Sequence, residues 1–488
     1  MRRCLERGTW GLALVGLLLT APALGQGNRG VAPKGCQSRT SGASSAQLDY
    51  NAPPTGNRGV DAPPTGNRGV DAPPTGNRGV DAPPTGGVGA EAPPTEISLV
   101  TMFPGDSLFT GFGHIALRLQ YRGADISVDY GTYDTSDPFM GWNFLVGKLD
   151  YYCSRTNFGD MISWYKDDFG GIIEQDLDLD QAQARALLRR LLTDFDLATP
   201  DAALTEGEFS ALRDRLFTDP AVTHTTYRYH HFHNNCATKL RDLLDEVLGG
   251  TLRARTGTAD AGVSFRDLIN ASLHRPRFAP TRWLVYGLLN GEIDQPVTRW
   301  EQMFLPWFLA EEMRGLTADG RPVVTGERVL AGVRLDAPPA PSSWPGILTL
   351  VLLVVAFGWP ALARRGRRLL ATQFILVGLA ATFYAGVLLV GWIASPYPET
   401  RPNGTVLFFH PGHLLLVVGG VLLWLRPRVR FLEVYLLAGV AVSSAGVLIH
   451  LVGIMDQEIL PYGLSALVVA AAGWASLRRL ATASEEER

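Results

Sequence analysis

Apolar and polar positions divide the chain into four stretches of different character. Near the start, Trp10 to Thr20 form an apolar run behind the basic residues Arg2, Arg3 and Arg7, and small residues follow at Ala21, Ala23 and Gly25. The run falls short of the roughly 20 residues of a membrane span, and its flanks match an export signal over residues 1–25. From 26 to 96 the periodicity disappears. The unit DAPPTGNRGV recurs nearly unchanged from Asn51 to Gly86 and then decays. Pro-Pro, Gly and Asn supply no face to bury, so this stretch is expected to be a disordered Pro/Gly linker.

Regular patterning returns over 97–335. Apolar alternation at His114-Ile-Ala-Leu-Arg-Leu-Gln-Tyr and at Ile126-Ser-Val-Asp-Tyr predicts paired strands, with Arg122 to Asp125 as the turn. Gln181 to Phe195 carries helical spacing, with Leu187, Leu188, Leu191 and Leu192 on one side. The segment is long enough to bury one core, and its mixture of periods predicts an α+β domain. Over 344–480 five apolar stretches follow, at about 345–363, 369–394, 405–425, 431–454 and 459–477. The first is the shortest. Arg364, Arg365, Arg367 and Arg368 join the first two; Arg426, Arg428 and Arg430 join the next pair, and Arg478 and Arg479 follow the last. Cytoplasmic loops concentrate arginine, so a five-helix transmembrane bundle is expected with the globular segment outside, in agreement with the export signal.

The net charge of −3 gives no basic surface for nucleic acid. Four cysteines, at 4, 36, 153 and 236, form neither a disulfide framework nor a zinc pattern.

The chemistry concentrates in Tyr227-Arg-Tyr-His-His-Phe-His-Asn-Asn-Cys-Ala-Thr-Lys-Leu-Arg-Asp-Leu-Leu. Apolar residues at 240, 243, 244, 247 and 248 predict a helix, with Asn235 as N-cap and Gly249 as its stop. Cys236 then sits in the first turn, where unpaired N–H groups and the helix dipole favour a thiolate and can hold an oxyanion. His224, His230, His231 and His233 crowd the same segment, and His114 opens a distant strand. Spacing alone leaves two readings open: a Cys–His dyad, or a buried cysteine beside a histidine-rich turn. A metal is not expected at His230, His231 and His233, because no Asp, Glu or Cys nearby completes a ligand set.

Gly105-Asp-Ser, Gly113-His-Ile-Ala-Leu-Arg, Val128-Asp-Tyr-Gly-Thr-Tyr-Asp, Tyr229 with Asn235-Cys-Ala-Thr-Lys-Leu-Arg-Asp, and Gly291-Glu-Ile-Asp-Gln-Pro-Val-Thr-Arg-Trp together resemble Lnb-type bacterial lipoprotein N-acyltransferases. The resemblance covers about residues 97–480. It implies a circularly permuted papain/NlpC-like domain, with histidine before cysteine, followed by five membrane helices. It also implies Cys236 as nucleophile, His114 as general base and Asp129 as the orienting acid, with Tyr130 as the alternative. Asn234-Asn235 stands where an acidic residue is common in the family. Tyr130, Arg118 and Asn235 are candidate substrate-binding residues. The implied reaction moves an acyl chain from a membrane phospholipid to the α-amine of a diacylated lipoprotein, without a cofactor, at the outer face of the bacterial cytoplasmic membrane. The sequence leaves the oligomeric state open. Two other functions fit the same residues: a membrane-anchored cysteine peptidase or amidase, and a non-enzymatic assembly factor. Cys153 reads as a buried small residue and Arg241–Asp242 as a structural pair. His410 and His413 are candidates for substrate handling at the outer end of the third span.

Overall fold

A computed structural model describes residues 95–332 and 344–486, apart from 108–109, 135 and 275–277. The expected export signal and nearly all of the repeat linker lie outside the described residues, as do Cys4 and Cys36. The globular part is built on a seven-stranded antiparallel sheet: β1 Glu96–Met102, β2 His114–Tyr121, β3 Ala124–Tyr133, β4 Asp150–Asn157, β5 Ile172–Leu177, β6 Thr226–Arg228 and β7 Val324–Ala331. Their order across the sheet is β7-β5-β1-β2-β3-β4-β6. The alternation expected for β2 and β3 is present, but the turn between them is tighter than Arg122 to Asp125. Only Arg122 and Gly123 connect the strands, at φ 48° and 83°, the doubly left-handed geometry that matches strand twist.

Alternation sends successive side chains to opposite faces, and both faces are covered. On the first lie Ile97, Leu99, Ile115, Leu117, Leu119, Val128 and Tyr130. Three helices share this core: α1 Gln181–Asp194, α2 Glu206–Thr218 and α3 Cys236–Val247. Leu187, Leu188, Leu191 and Leu192 of α1 are buried there, each worth ~1.5–3 kcal/mol. The second face presents Val100, Met102 and Ala116 to Phe158, Met161 and Tyr165 of a short helix, Phe158–Tyr165. That helix starts where the Asn157 side chain accepts from the Gly159 and Asp160 N–H groups.

Among the described residues, four helices are long and apolar enough to cross a membrane: Gly366–Ala394, Pro398–Leu425, Arg430–Leu451 and Leu460–Ala483. The first apolar stretch forms a shorter helix, Trp344–Gly358, whose 15 residues rise about 22 Å against a hydrocarbon core of about 30 Å. The third span is regular only from Leu414, because prolines at 398, 402 and 411 break the preceding chain into short 3₁₀ turns.

The globular and apolar parts meet in a polar seam. Asn290 Nδ2 donates to the Pro398 and Arg401 carbonyls at 3.0 Å each, and Asn403 Nδ2 donates to those of Gly287 and Leu288. Gln457 Nε2 donates to Leu289 O, Asn403 Oδ1 and Thr405 Oγ1. Tyr397 Oη donates to the carbonyl of Tyr229 at 3.1 Å. All three amides are buried, so each bond replaces water that is missing there.

Candidate active site

Cys236 is the first residue of α3. Asn235 caps the helix: its Oδ1 accepts from Thr238 N–H at 2.9 Å, and Thr238 Oγ1 accepts from Asn235 N–H at 2.7 Å. The N–H groups of Cys236 and Ala237 belong to the first turn, which lacks partners within the helix. The Asn235 amide is consumed as well, donating to the carbonyls of His231 and Phe304 at 2.9 Å each. Asn235 therefore shapes the turn that delivers Cys236 and has no donor left for substrate.

His114 opens β2, and its entry requires Gly113. Gly113 has φ 70°, and a Cβ there would stand 2.7 Å from the carbonyl oxygen of Met102. His114 Nε2 lies 2.7 Å from Asp129 Oδ2. The Asp129 side chain is held in turn by Ser154, whose Oγ donates to Oδ1. The sheet register explains the set. Asp129 pairs with Ala116 on one side and Ser154 on the other, so histidine, carboxylate and hydroxyl share one face. Tyr165 meets the His114 ring edge-on at 5.9 Å, and Phe169 stacks at 6.5 Å. His114 is 5 % exposed and Asp129 7 %, so their pairing works in a poorly screened environment.

With Nε2 given to Asp129, Nδ1 is the nitrogen left for Cys236, which is near enough to act on the charge of the ring. Burial pulls the His114 pKa down. The Cys236 charge, the Asp129 hydrogen bond, the Cys236 hydrogen bond and the Asp129 charge outweigh it and raise it to about 10. A protonated imidazole beside Asp129, turned toward Cys236, is the arrangement those influences favour. The floor beneath the sulfur is Gly131, at φ 96° beside an irregularity in the β3–β4 register. A Cβ at Gly131 would lie 3.5 Å from that of Cys236.

Thus the structure brings Cys236, His114 and Asp129 together, and adds Ser154, Tyr165, Phe169 and Gly131. Ser154 was not visible in the sequence because nothing in Tyr-Tyr-Cys-Ser-Arg reveals which strand β4 joins. The other substrate-binding candidates lie elsewhere. Tyr130 points to the opposite face from Asp129, buried, with its hydroxyl donating to Asp194 at 2.6 Å. Arg118 does share the His114 face, but its guanidinium is held by Asp125 at 2.6 and 2.8 Å and by the fully buried Glu174 at 3.0 Å. Its plane also lies over Phe158 at 4.0 Å. Neither side chain is available to a ligand in this arrangement. Cys153 is buried and free; Arg241 pairs with Asp242 and packs on Trp300. His413 is fixed between the Phe408 carbonyl at 2.7 Å and the Tyr435 hydroxyl at 2.9 Å.

The histidine-rich turn is not bare of carboxylates. Glu399, from the loop that follows the helix Gly366–Ala394, lies beside His230 and His233, with the three ligand-type atoms within 4.8 Å of one another. Sequence spacing hid this group, because its members come from opposite ends of the fold.

Residues 90–194 match the family model of the Lnb N-terminal periplasmic domain. The match takes in His114, Asp129 and Ser154 and ends before Cys236, whose place beside them rests on the geometry above. No curated protein and no solved structure matches the chain. The chain thus carries an Lnb-type periplasmic domain at 90–194 and apolar helices toward its C-terminus, in support of the family read from its sequence.

Proposed function

We propose that the protein is a thiol-dependent lipoprotein N-acyltransferase working at the outer face of the bacterial cytoplasmic membrane. The observation that carries the reading is the buried Asp129–His114 pair beside Cys236, with the sulfur at a helix N-terminus. In the first half-reaction the Cys236 thiolate attacks the ester carbonyl of a phospholipid, and the N–H groups of the first turn receive the developing oxyanion. As the ester C–O bond breaks, the His114 imidazolium protonates the leaving alkoxide, giving a lysophospholipid and a thioester. In the second, the α-amine of a diacylated lipoprotein attacks the thioester; His114 takes the amine proton, the thiolate leaves and an amide remains. Asp129 keeps the ring oriented and stabilises its charged form.

Both substrates are anchored in lipid, which gives the apolar helices a purpose: they hold the reacting groups where water competes poorly. The short first apolar helix is taken as a fifth element of the bundle, and the domain as a permuted papain-like unit in which the histidine strand precedes the cysteine helix.

The test is purified protein in phospholipid vesicles with a synthetic diacylated lipopeptide, read by mass spectrometry. One added acyl chain per lipopeptide and an equal amount of lysophospholipid are expected from the wild type, and neither from Cys236→Ala. Release of free fatty acid without amide would make water the acceptor and the protein a hydrolase. Acylation surviving in Cys236→Ala would remove the thiol mechanism.

A further inference from the structure

We infer that His230, His233 and Glu399 form a site for a divalent transition cation of the zinc class. The site would lock the turn that delivers the nucleophile to the loop leading into the apolar helices. This inference is independent of the acyl-transfer reading, since it concerns none of the reacting groups.

The geometry comes first. His230 Nε2 is 3.4 Å and His233 Nε2 3.8 Å from the same oxygen, Glu399 Oε1. Ligands on one tetrahedral zinc, with bonds near 2.0–2.1 Å, stand about 3.3–3.4 Å apart. One edge has that length already. The other needs only a small movement of His233, whose side chain is 52 % exposed and able to turn. The two imidazole rings lie 4.7 Å apart, centre to centre.

The second observation concerns Glu399 itself. It is 4 % exposed, and its Oε2 is buried with no hydrogen-bond partner among the described residues. Among those residues only the two histidines make an ion-pair contact with it, and no Lys or Arg does. A buried carboxylate without a cation is strongly disfavoured, and a bound metal would supply the missing charge. Space for a further ligand adjoins two of the three: a cavity of about 160 Å³ is lined by His233 and Glu399, with Glu292 and Glu301, though not by His230. Two imidazoles with one carboxylate suit zinc, cobalt or nickel, whereas calcium and magnesium prefer all-oxygen sites. Three protein ligands leave a fourth position for water from the cavity. The cation takes the Nε2 lone pairs, so the His230 proton moves to Nδ1 and the long 3.3 Å contact with the Phe232 N–H is given up.

Location indicates the consequence. His233 lies three residues before Cys236, and Glu399 belongs to the loop whose Tyr397 already bonds the carbonyl of Tyr229. A cation would strengthen that joint and stiffen the turn ahead of α3.

The experiment uses the full chain in detergent, stripped with chelator and titrated with Co²⁺ and then Zn²⁺. Expected are the visible absorption of tetrahedral Co²⁺, about one equivalent bound, and its displacement by Zn²⁺. Binding should be lost in His233→Ala and Glu399→Gln and kept in Cys236→Ser. His233 is half exposed, so its replacement leaves the fold intact and the result interpretable. Absence of binding to the wild type, with His230 simply donating Nε2–H to Glu399, would overturn the site. So would binding retained in His233→Ala, or binding lost in Cys236→Ser, which would place the cation on the thiol. Acylation that fails while cobalt still binds would sink the enzymatic reading and leave this one standing.

Discussion

Asp129→Asn separates charge from geometry at the candidate site. Asparagine keeps an oxygen for the His114 Nε2–H and a polar end for Ser154, so both contacts of the native carboxylate survive in form. What disappears is the negative charge 2.7 Å from the imidazole. A hydrogen bond to a charged group is worth about 1.5–3 kcal/mol and a neutral one about 0.5–1.5, a difference of about 1–1.5 kcal/mol. That corresponds to about one pH unit in the His114 pKa and about tenfold in rate. The alkaline limb of kcat/KM, set by the His114 value of about 10, should therefore move down by about one unit, with kcat/KM about tenfold lower. Asp129→Ala should be worse, by a further ~1–3 kcal/mol, because it strands the imidazole N–H and the Ser154 hydroxyl in a buried site. The assay is lipopeptide acylation across the neutral and alkaline range, with iodoacetamide labelling of Cys236 as a parallel readout. Stability gives a second check. The folded pKa of His114 lies above its ordinary 6.5, so its contribution is complete below pH 6.5 and disappears as pH rises through about 10. The melting difference between wild type and Asp129→Asn should shrink over that window. An unmoved alkaline limb, or Asn as damaging as Ala, would refute Asp129 as the partner that keeps His114 charged.

Arg118→Ala should cost ~1.5–3 kcal/mol of stability by removing a charged hydrogen-bond donor from the fully buried Glu174, which keeps Arg328, while kcat/KM per folded molecule stays near wild type. Thermal unfolding and active-site titration would report the two separately, and a raised KM with normal stability would restore Arg118 to the substrate site. Gly131→Ala should lower stability by ~1–2 kcal/mol for its left-handed backbone and slow Cys236 alkylation by crowding the sulfur. Unchanged labelling would contradict the close approach. Asn235→Asp preserves the cap on Thr238 but turns two donors into acceptors against the carbonyls of His231 and Phe304. It should lose more stability than the ~1 kcal/mol of a missing cap, measurable as a lower melting temperature.

The parts of the fold legible in the sequence were those governed by local periodicity. The β2–β3 hairpin, the leucine face of α1 and the helix that begins at Cys236 follow from side-chain spacing and capping alone. Asp129 was reachable because it lies on the strand next to His114. Ser154 and the partners of Arg118 were not, since strand order is decided by packing across the whole sheet. Glu174 claims Arg118 only once β5 lies two places from β2, with β1 between them. Glu399 illustrates the same limit more strongly, because this partner of the histidine turn lies beyond the first membrane-length helix. The apolar stretches were visible by composition, but Pro398, Pro402 and Pro411 shape the start of the third span in a way hydropathy averages conceal.

The buried amides of Asn290, Asn403 and Gln457 tie residues 287–290 to the loops between the apolar helices, and Tyr397 of one such loop bonds the carbonyl of Tyr229, ahead of the cysteine turn. Helices of fixed length answer a thicker or thinner bilayer by tilting, each ångström of mismatch costing a fraction of a kcal/mol. Through so stiff a coupling, that tilt reaches the turn ahead of Cys236 as a displacement of the sulfur relative to His114. For the proposed acyl transfer, the expected outcome is a rate that varies with the thickness of the vesicle bilayer, quite apart from which chain is transferred; an unvarying rate would refute the coupling.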